Sequence, residues 1–312
     1  MPSMVSIVMP LYNKAPYVER AIRSVLAQTY ADFELVVVDD GSTDGGASLV
    51  SGLADLRIRV LKQVNQGPGA ARNRGVQAAQ CPLIAFLDAD DEWNPRFLES
   101  GIGALEAHPG AVAVFSNNQC THKHAPEIRR RRFPAAVLLS DYYAFWRRHG
   151  TAMSSSSTLV RREALLAAGG FPMARRVGED LDTWFRLAAR GSVVFLPEVL
   201  SIYHTGLGLC AVEELNFDVW DSFRLLTSEG KMPRALRKSA ERLAAHQRLR
   251  TVRCRIHARR FREAQGMLLE MPVRQWLSFR WIVFRVTCRF PWLWYGYQFA
   301  KRLIARNMRK DR

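Results

Sequence analysis

Short apolar segments alternate with segments of helical periodicity over the first third of the chain, and this alternation restricts the fold more than any other feature. The predicted strands cover residues 5–9, 33–38, 57–61, 82–87 and 111–115. Helices are predicted between them. Pro16 suits a first helical turn, and Val18, Ile22 and Val25 follow it at helical spacing. Apolar strands separated by helices indicate an α/β fold in which a mostly parallel sheet is covered on both faces.

Polar residues follow three of these strands directly. They are Tyr12 and Asn13 after the first strand, Asp39 and Asp40 after the second, and Asp88, Asp90 and Asp91 after the fourth. Ligands bind beyond the carboxyl ends of strands in such sheets, so residues far apart in the sequence are expected to meet there. The pattern predicts a ligand site at this edge. Capping of the next helix is the alternative role for Asp39 and Asp40, and Ser42 or Thr43 is also predicted to cap that helix.

Three carboxylates lie within four residues at Asp88, Asp90 and Asp91, and they repel one another. A hard divalent cation relieves this repulsion. Mg²⁺ or Mn²⁺ is typically held by one or two carboxylates together with substrate phosphates. Helix capping by Asp91 or Asn94 is the alternative, and it would account for one acid. The pattern favours a cation near Asp88 and Asp90.

The middle of the chain is less regular. Residues 117–157 include four arginines at 129–132, predicted to lie in a solvated loop, and a serine run at 154–157, which is either a loop or a substrate contact. A strand is predicted at 158–160, a helix at 179–189 and a strand at 193–196. Trp93 and Trp184 belong either to the core or to the wall of a substrate site.

Composition places limits on the class of protein. Of 312 residues, 48% are hydrophobic, which permits a large core. The five cysteines are scattered and form no CxxC pair, so a reducing compartment is expected rather than a disulfide framework or a zinc knuckle. No basic segment precedes the first strand, and a signal peptide is not expected.

The net charge of +16 is concentrated at one end of the chain. Residues 231–312 hold 22 Lys and Arg against 4 Asp and Glu, whereas residues 1–230 are nearly balanced. This asymmetry indicates an anionic partner, either membrane or nucleic acid. We therefore expect a catalytic domain at 1–230 and a basic helical region at 231–312.

Aromatic residues and arginines are interleaved in the segment 275–300, and Pro291 interrupts it. Central arginines disfavour a membrane-spanning helix, whereas an interfacial helix tolerates them and favours Trp and Tyr at the headgroups. Basic residues upstream would add attraction to anionic lipid: Arg234, Arg237, Lys238, Arg242, Arg248, Arg250, Arg253 and Arg255. The alternative is that these helices pack on the catalytic domain. We expect a cytoplasmic protein, peripheral on the inner face of the cell membrane.

Five motifs in order give a specific resemblance. Residues 5–13 read VSIVMPLYN, 38–44 VDDGSTD, 65–75 NQGPGAARNRG and 85–91 AFLDADD, and GGF at 169–171 precedes GEDLD at 178–182. Together they resemble family 2 glycosyltransferases over roughly residues 4–205. The resemblance implies the GT-A nucleotide-binding fold and inverting transfer of a sugar, with a UDP-sugar the favoured donor. The implied acceptor is a glycan or a lipid-linked glycan in cell-surface polysaccharide synthesis.

The resemblance also implies roles for individual residues. The implied donor contacts are Pro10, Tyr12, Asp39, Asp40, Arg72 and Asp88. Tyr12 would stack on the base, Asp40 would accept a hydrogen bond from it, and Asp88 would contact the ribose. Asn73 and Gly75 are expected to shape the turn and the helix packing.

Metal binding and catalysis are implied at separate motifs. Asp90 would hold a divalent metal, Mn²⁺ or Mg²⁺, on the donor diphosphate, with His204 as an additional ligand or diphosphate contact. Because no lysine-bearing phosphate loop is recognisable, the metal is expected to carry much of the charge neutralisation. Asp180 resembles the catalytic base, and its neighbours Glu179 and Asp182 remain alternatives. The other role open to all three acids is to complement the helix dipole.

Three other functional classes fit less well. A nicotinamide-dependent oxidoreductase would carry GxGxxG after the first strand, which instead ends in Pro-Leu-Tyr-Asn. A nucleotidyltransferase would carry an early glycine-rich basic signature, and none is seen. A nucleic-acid-binding protein would account for the basic segment but not for its long apolar stretches, so no nucleic acid partner is expected.

Overall fold

The computed structural model describes residues 5–121, 133–149, 153–173, 175, 177–204 and 218–271. Nine strands of this part form one sheet: β1 (Val5–Leu11), β2 (Phe33–Asp39), β3 (Ile58–Lys62), β4 (Leu83–Phe86), β5 (Glu92–Trp93), β6 (Ala111–Cys120), β7 (Val137–Leu139), β8 (Thr158–Arg161) and β9 (Ser192–Tyr203). Their order is β3-β2-β1-β4-β8-β6-β9-β5, with β7 also paired to β9. β8 is antiparallel to both of its neighbours, and β5 and β7 are antiparallel to β9. The other pairings are parallel, which confirms the predicted mostly parallel sheet.

Helices cover the sheet. They are α1 (Ala15–Leu26), α2 (Gly46–Ser51), α3 (Pro68–Ala78), α4 (Phe97–Ala107), α5 (Tyr142–His149), α6 (Arg162–Ala167), α7 (Glu179–Leu187), α8 (Trp220–Ser228), α9 (Arg234–His257) and α10 (Phe261–Leu269). Successive side chains of a strand point to opposite faces. In β1, Ile7 and Met9 accordingly pack in the cluster that includes α1 and α4, and Val8 packs in the cluster that includes α5 and α7.

Several local predictions are corrected by the structure. Neither Ser42 nor Thr43 caps α2, because the residue before that helix is Gly45, whose φ of +83° suits glycine. The first N–H group of the helix, that of Gly46, is instead bound by the Asp44 side chain at 3.0 Å. Asp91 and Asn94 do not cap α4 either, since Arg96 precedes that helix without a side-chain cap. Trp93 and Trp184 are both buried and belong to the core. The four arginines at 129–132 lie outside the described residues.

The start of the basic region packs on the sheet domain. Leu243, Ala244 and Val252 of α9 are fully buried and belong to the same apolar cluster as Trp184 of α7. Arg248 is also buried, and it pairs with Asp218 and Glu270 rather than facing outward. The buried residues of α9 and α10 thus belong to the core of the sheet domain. Within the described ranges no helix has the length and apolarity needed to cross a membrane, and the aromatic segment 275–300 lies outside them.

Candidate functional site

The loops after β1 and β2 are joined by hydrogen bonds. The Asn13 side chain accepts a hydrogen bond from the Thr43 backbone N–H at 2.8 Å, and the Ser42 hydroxyl accepts one from the Asn13 N–H at 3.2 Å. Asn13 adopts a φ of +50°, a conformation that asparagine tolerates better than most residues. Beside this junction Tyr12 is 44% exposed, and Pro10 is half-buried at the end of β1. A flat aromatic surface is therefore open to a ligand at the strand ends.

The two acids after β2 hold backbone turns. Asp39 accepts a hydrogen bond from the Ser42 N–H at 2.9 Å. The buried carboxylate of Asp40 accepts three, from the Gln63 side chain at 2.7 Å and from the Gln66 and Gly67 N–H groups at 2.8 Å. Asp40 thus fixes the loop that leads into α3. A carboxylate offers about four acceptor positions, so one remains for a ligand.

Arg72 joins two parts of the site. It is 4% exposed on α3, and its guanidinium lies 2.6 Å from Asp88 at the end of β4 and 2.6 Å from Glu179 at the start of α7. Burial opposes its charge, but the surrounding carboxylates outweigh burial and raise the pKa of Arg72. A permanently charged, two-pronged cation therefore links the β4 acid to the acids of α7.

The three acids of the first turn of α7 have different partners. Glu179 is buried against Arg72, whereas Asp182 is buried against Arg186 at 2.9 Å and accepts a hydrogen bond from the Ser222 hydroxyl of α8. Asp180 is half-buried and accepts a hydrogen bond from the Leu181 N–H. Loss of hydration, and next the negative charge of Glu179, raise the pKa of Asp180 to about 7. A carboxylate that gains and loses a proton near neutral pH suits general base chemistry.

Asp91 is the buried member of the acid cluster Asp88, Asp90 and Asp91. It is fully inaccessible, and it accepts hydrogen bonds from the Ser156 hydroxyl at 2.5 Å and the His204 N–H at 3.0 Å. Burial, and then the charge of Asp88, raise the pKa of Asp91 well above its usual range. The Ser156 hydroxyl also accepts a hydrogen bond from the Asp88 N–H at 3.1 Å. Ser155–Ser157 form a buried 3₁₀ turn rather than an open loop.

Asp90 lies against a lysine that the sequence analysis missed. Its carboxylate is 2.5 Å from Lys14 Nζ, and its carbonyl accepts a hydrogen bond from Arg20 at 2.7 Å. The His204 ring nitrogen Nε2 lies 2.6 Å from Glu92. The ammonium group of Lys14 and the imidazole ring of His204 are thus each paired with a carboxylate.

The donor set suits a hard cation that brings its own ligands. No three His, Cys, Asp or Glu side chains in the described segments are arranged to hold a metal ion by themselves. Asp88 and Asp90 keep 28% and 20% of their side chains exposed. One or two carboxylates completed by phosphate oxygens is the usual arrangement for Mg²⁺ and Mn²⁺. The residues present fit a cation that arrives with a diphosphate.

Asn73 fixes the segment before α7. Its side chain donates to the Phe171 carbonyl at 2.7 Å and accepts from the Phe171 N–H at 2.8 Å. A Cβ at Gly170 would lie 2.7 Å from the Asn73 oxygen. Asn73 therefore shapes the turn, as expected, and it ties the segment that leads into the acids of α7 to α3.

Comparison with known sequences identifies a family. The family described as Glycosyl transferase family 2 matches residues 6–167. An uncharacterized glycosyltransferase of Nostoc sp. (strain PCC 7120) is 47% identical over 206 residues, which cover 64% of each chain. The chain also resembles a putative teichuronic acid biosynthesis glycosyltransferase, TuaG, of Bacillus subtilis, at 28% identity over 64% of this chain and 78% of the other. The chain thus spans slightly less than two thirds of the length of the Nostoc relative.

Solved structures show the same fold. TarS 1–349 of S. aureus in complex with UDP-GlcNAc superposes with a TM-score of 0.65 at 19% identity, over 91% of this chain and 81% of the other. The mannosyltransferase PcManGT of Pyrobaculum calidifontis, in complex with GDP-Man and Mn²⁺, gives 0.60 at 21% identity, over 93% and 88%. Both likenesses extend beyond the segment that the family matches.

Proposed function

The chain belongs to glycosyltransferase family 2, and we propose on this basis that it transfers a sugar from a nucleoside-diphospho-sugar to an acceptor hydroxyl, with inversion at the anomeric carbon. One observation carries the proposal. Arg72 joins the acid at the end of β4 to the first turn of α7, where the partly exposed Asp180 has a pKa raised to about 7. Asp180, the candidate base, thus lies on the helix that Arg72 connects to Asp88, a candidate donor contact.

The nucleoside is assigned to the ends of β1, β2 and β4. The exposed ring of Tyr12 stacks on the base next to Pro10, and the remaining acceptor position of Asp40 suits the imide N–H of uracil. Asp39 supports the same turn. Asp88, held by Arg72, is the hydrogen-bond partner of the ribose. A UDP-sugar is the favoured donor, in agreement with the UDP-GlcNAc bound by the structurally similar TarS.

Asp180 removes the proton of the acceptor hydroxyl as the hydroxyl oxygen forms its bond to the anomeric carbon and the bond to the nucleoside diphosphate breaks. Its two neighbours are poorly suited to this role, because Glu179 is committed to Arg72 and Asp182 to Arg186. Attack from the face opposite the leaving group requires no enzyme nucleophile. Transfer is therefore a single displacement.

A divalent cation, Mn²⁺ or Mg²⁺, is assigned to Asp90 and the donor diphosphate. When bound, it offsets the negative charge on the leaving nucleoside diphosphate. The structurally similar PcManGT was solved with GDP-Man and Mn²⁺. A role for His204 as a second ligand through Nε2 requires release of that nitrogen from Glu92.

The acceptor is assigned to cell-surface polysaccharide synthesis, as a glycan or a lipid-linked glycan. The named role of the similar TuaG protein in teichuronic acid synthesis supports this assignment. Exposed basic residues on α9, such as Arg237 and Arg242, would bring the protein to an anionic membrane surface on the cytoplasmic side, where a lipid-linked acceptor is presented.

A donor panel tests the proposal. Purified protein with Mn²⁺ is incubated with UDP-, GDP- and TDP-sugars, with and without lipid-linked acceptors, and release of the nucleoside diphosphate is measured. We expect release from one donor class, stimulated by acceptor, lost in excess chelator and lost in Asp90→Ala. Full activity in chelator would contradict metal dependence, and no release from any donor would contradict the transfer itself.

A further inference from the structure

Lys14 is a cation at the edge of the site to which the sequence assigned no role. It precedes α1 at the end of the loop after β1, and its Nζ lies 2.5 Å from Asp90 Oδ2. Asp90 is the acid to which we assign the divalent cation. Lysine and metal therefore compete for one carboxylate.

The two cations beside Asp90 are held differently. Arg20 donates to the main-chain carbonyl of Asp90 at 2.7 Å and pairs with Glu92 at 3.1 Å, so two contacts fix its guanidinium. Lys14 makes one ion pair, with the carboxylate, and its Nζ otherwise lies 5.9 Å from the centre of the Tyr17 ring. The Lys14 and Asp90 side chains remain 24% and 20% exposed. Ion pairs of such exposure contribute little. A divalent cation that arrives with a diphosphate can therefore displace Lys14 from Asp90.

Displacement leaves a flexible ammonium group next to two new charges. Lysine is a compact point charge on a mobile stem, and phosphate oxygens are its common partners. Building on the proposed function, we propose that Lys14 is an exchangeable cation: it neutralises Asp90 when no metal is bound, and it contacts the donor diphosphate once the metal occupies Asp90. Metal and lysine then share the neutralisation of the leaving group.

Calorimetric binding of UDP and of uridine to the full chain tests the exchange. In Mn²⁺, Lys14→Gln is expected to weaken UDP binding about tenfold, the usual contribution of one charge-assisted contact. Uridine, which has no phosphate, should bind as it does to the wild type. In chelator Lys14 stays on Asp90 and does not contact the diphosphate, so the variant should lose less affinity for UDP than in Mn²⁺. The loss that remains reflects the uncompensated charge of Asp90. Lys14→Arg keeps the charge and should retain most of the affinity.

Lys231→Gln is the matched control, because Lys231 also pairs with a carboxylate, Glu229 at 2.8 Å, but lies before α9. The proposal is overturned if Lys14→Gln binds UDP in Mn²⁺ as Lys231→Gln does, or if its loss is equal in chelator. An equal loss for uridine would indicate a structural role and would also overturn it. If the wild type binds neither UDP nor any other nucleoside diphosphate, the proposed function fails instead.

Discussion

The assignment of the base depends on how three acids of one helical turn are partnered. Glu179 and Asp182 are buried and paired with arginines, whereas Asp180 retains contact with solvent. Proton acceptance requires a carboxylate that a substrate hydroxyl can approach. Asp180 is therefore assigned as the base because Glu179 and Asp182 are already paired with arginines, and not because of a distance to a substrate.

Asp180→Asn is expected to lower turnover by about 10²-fold or more while donor binding persists. The amide keeps the shape and cannot accept the proton. Because the folded protein raises the pKa of Asp180, its ionised form destabilises the fold above pH 7, so the neutral variant should be at least as stable as the wild type there. Near-normal turnover in Asp180→Asn, with a large loss in Glu179→Gln or Asp182→Asn, would transfer the role.

The pH profile follows from the same group. Only ionised Asp180 accepts a proton, so kcat/KM should fall about tenfold per unit below pH 7 and level off above it. The charge of Glu179 contributes to the raised pKa of Asp180, so Glu179→Gln should move this limb to lower pH and keep the hydrogen bond to Arg72. An unshifted limb in that variant, measured under the same conditions, would mean that another group titrates.

Residue types were predictable from the motifs, but partners were not. The acids at 39, 40, 88 and 90 were predicted to lie at a ligand site because they directly follow apolar strands. The sequence does not indicate that Asp40 accepts three hydrogen bonds from the loop at 63–67, that Ser156 supports Asp91, or that Lys14 reaches Asp90. Those contacts join residues 23 to 76 positions apart, and no local pattern records them.

At the level of the elements, close contact between α3 and β1 depends on a glycine. A Cβ at Gly75 would lie 2.3 Å from Val8 Cγ1 in the middle of the strand. The missing side chain lets the helix lie on the strand closely enough to place Arg72 between Asp88 and Glu179. Helix packing and site geometry are thus set by one position.

Gly75→Ala is expected to destabilise the protein by about 1–3 kcal/mol, because the buried methyl group forces the helix or the strand to shift. Gly103→Ala is the matched control: it lies in α4, and a Cβ there meets nothing within 4 Å, so it should gain up to about 1 kcal/mol from helix propensity. Urea denaturation measures both free energies of unfolding. Equal stability of the two variants would contradict this packing.

Strongly apolar elements were predictable, and short ones that depend on pairing were not. Seven strands were predicted because each contains a short apolar run. β5 and β7 have two and three residues and are strands through pairing with β9. α5 was missed although Tyr142, Tyr143, Phe145 and Trp146 recur at helical spacing, because it has only eight residues and lies in the irregular segment 117–157.

At the scale of the whole molecule, the described part of the basic region, residues 231–271, has an inner and an outer surface. The inner surface of α9 fills the core with small and branched apolar residues and pairs Arg248 with Asp218. On the outer surface Lys238, Arg242, Arg250 and Arg253 are exposed at helical spacing. Composition predicted the charge but not this division, because it does not record which arginine is buried.

Truncation at residue 230 is a poor test of membrane binding, because it removes part of the core. Charge reversal on the outer surface of α9, at Lys238, Arg242 and Arg250, leaves the buried residues in place. Each basic residue near anionic lipid contributes about 1 kcal/mol, so three reversals should weaken liposome binding by at least about 10²-fold. The control reverses three exposed arginines elsewhere, Arg23, Arg74 and Arg96, with the same change in net charge.

Flotation with anionic and with neutral liposomes, at low and high salt, measures the effect. The wild type and the control should float on anionic liposomes at low salt, and the α9 variant should not, because a membrane responds to the surface that faces it rather than to the total charge. A wild type that stays in the soluble fraction, or a control that loses as much binding as the α9 variant, would contradict membrane attachment through this helix.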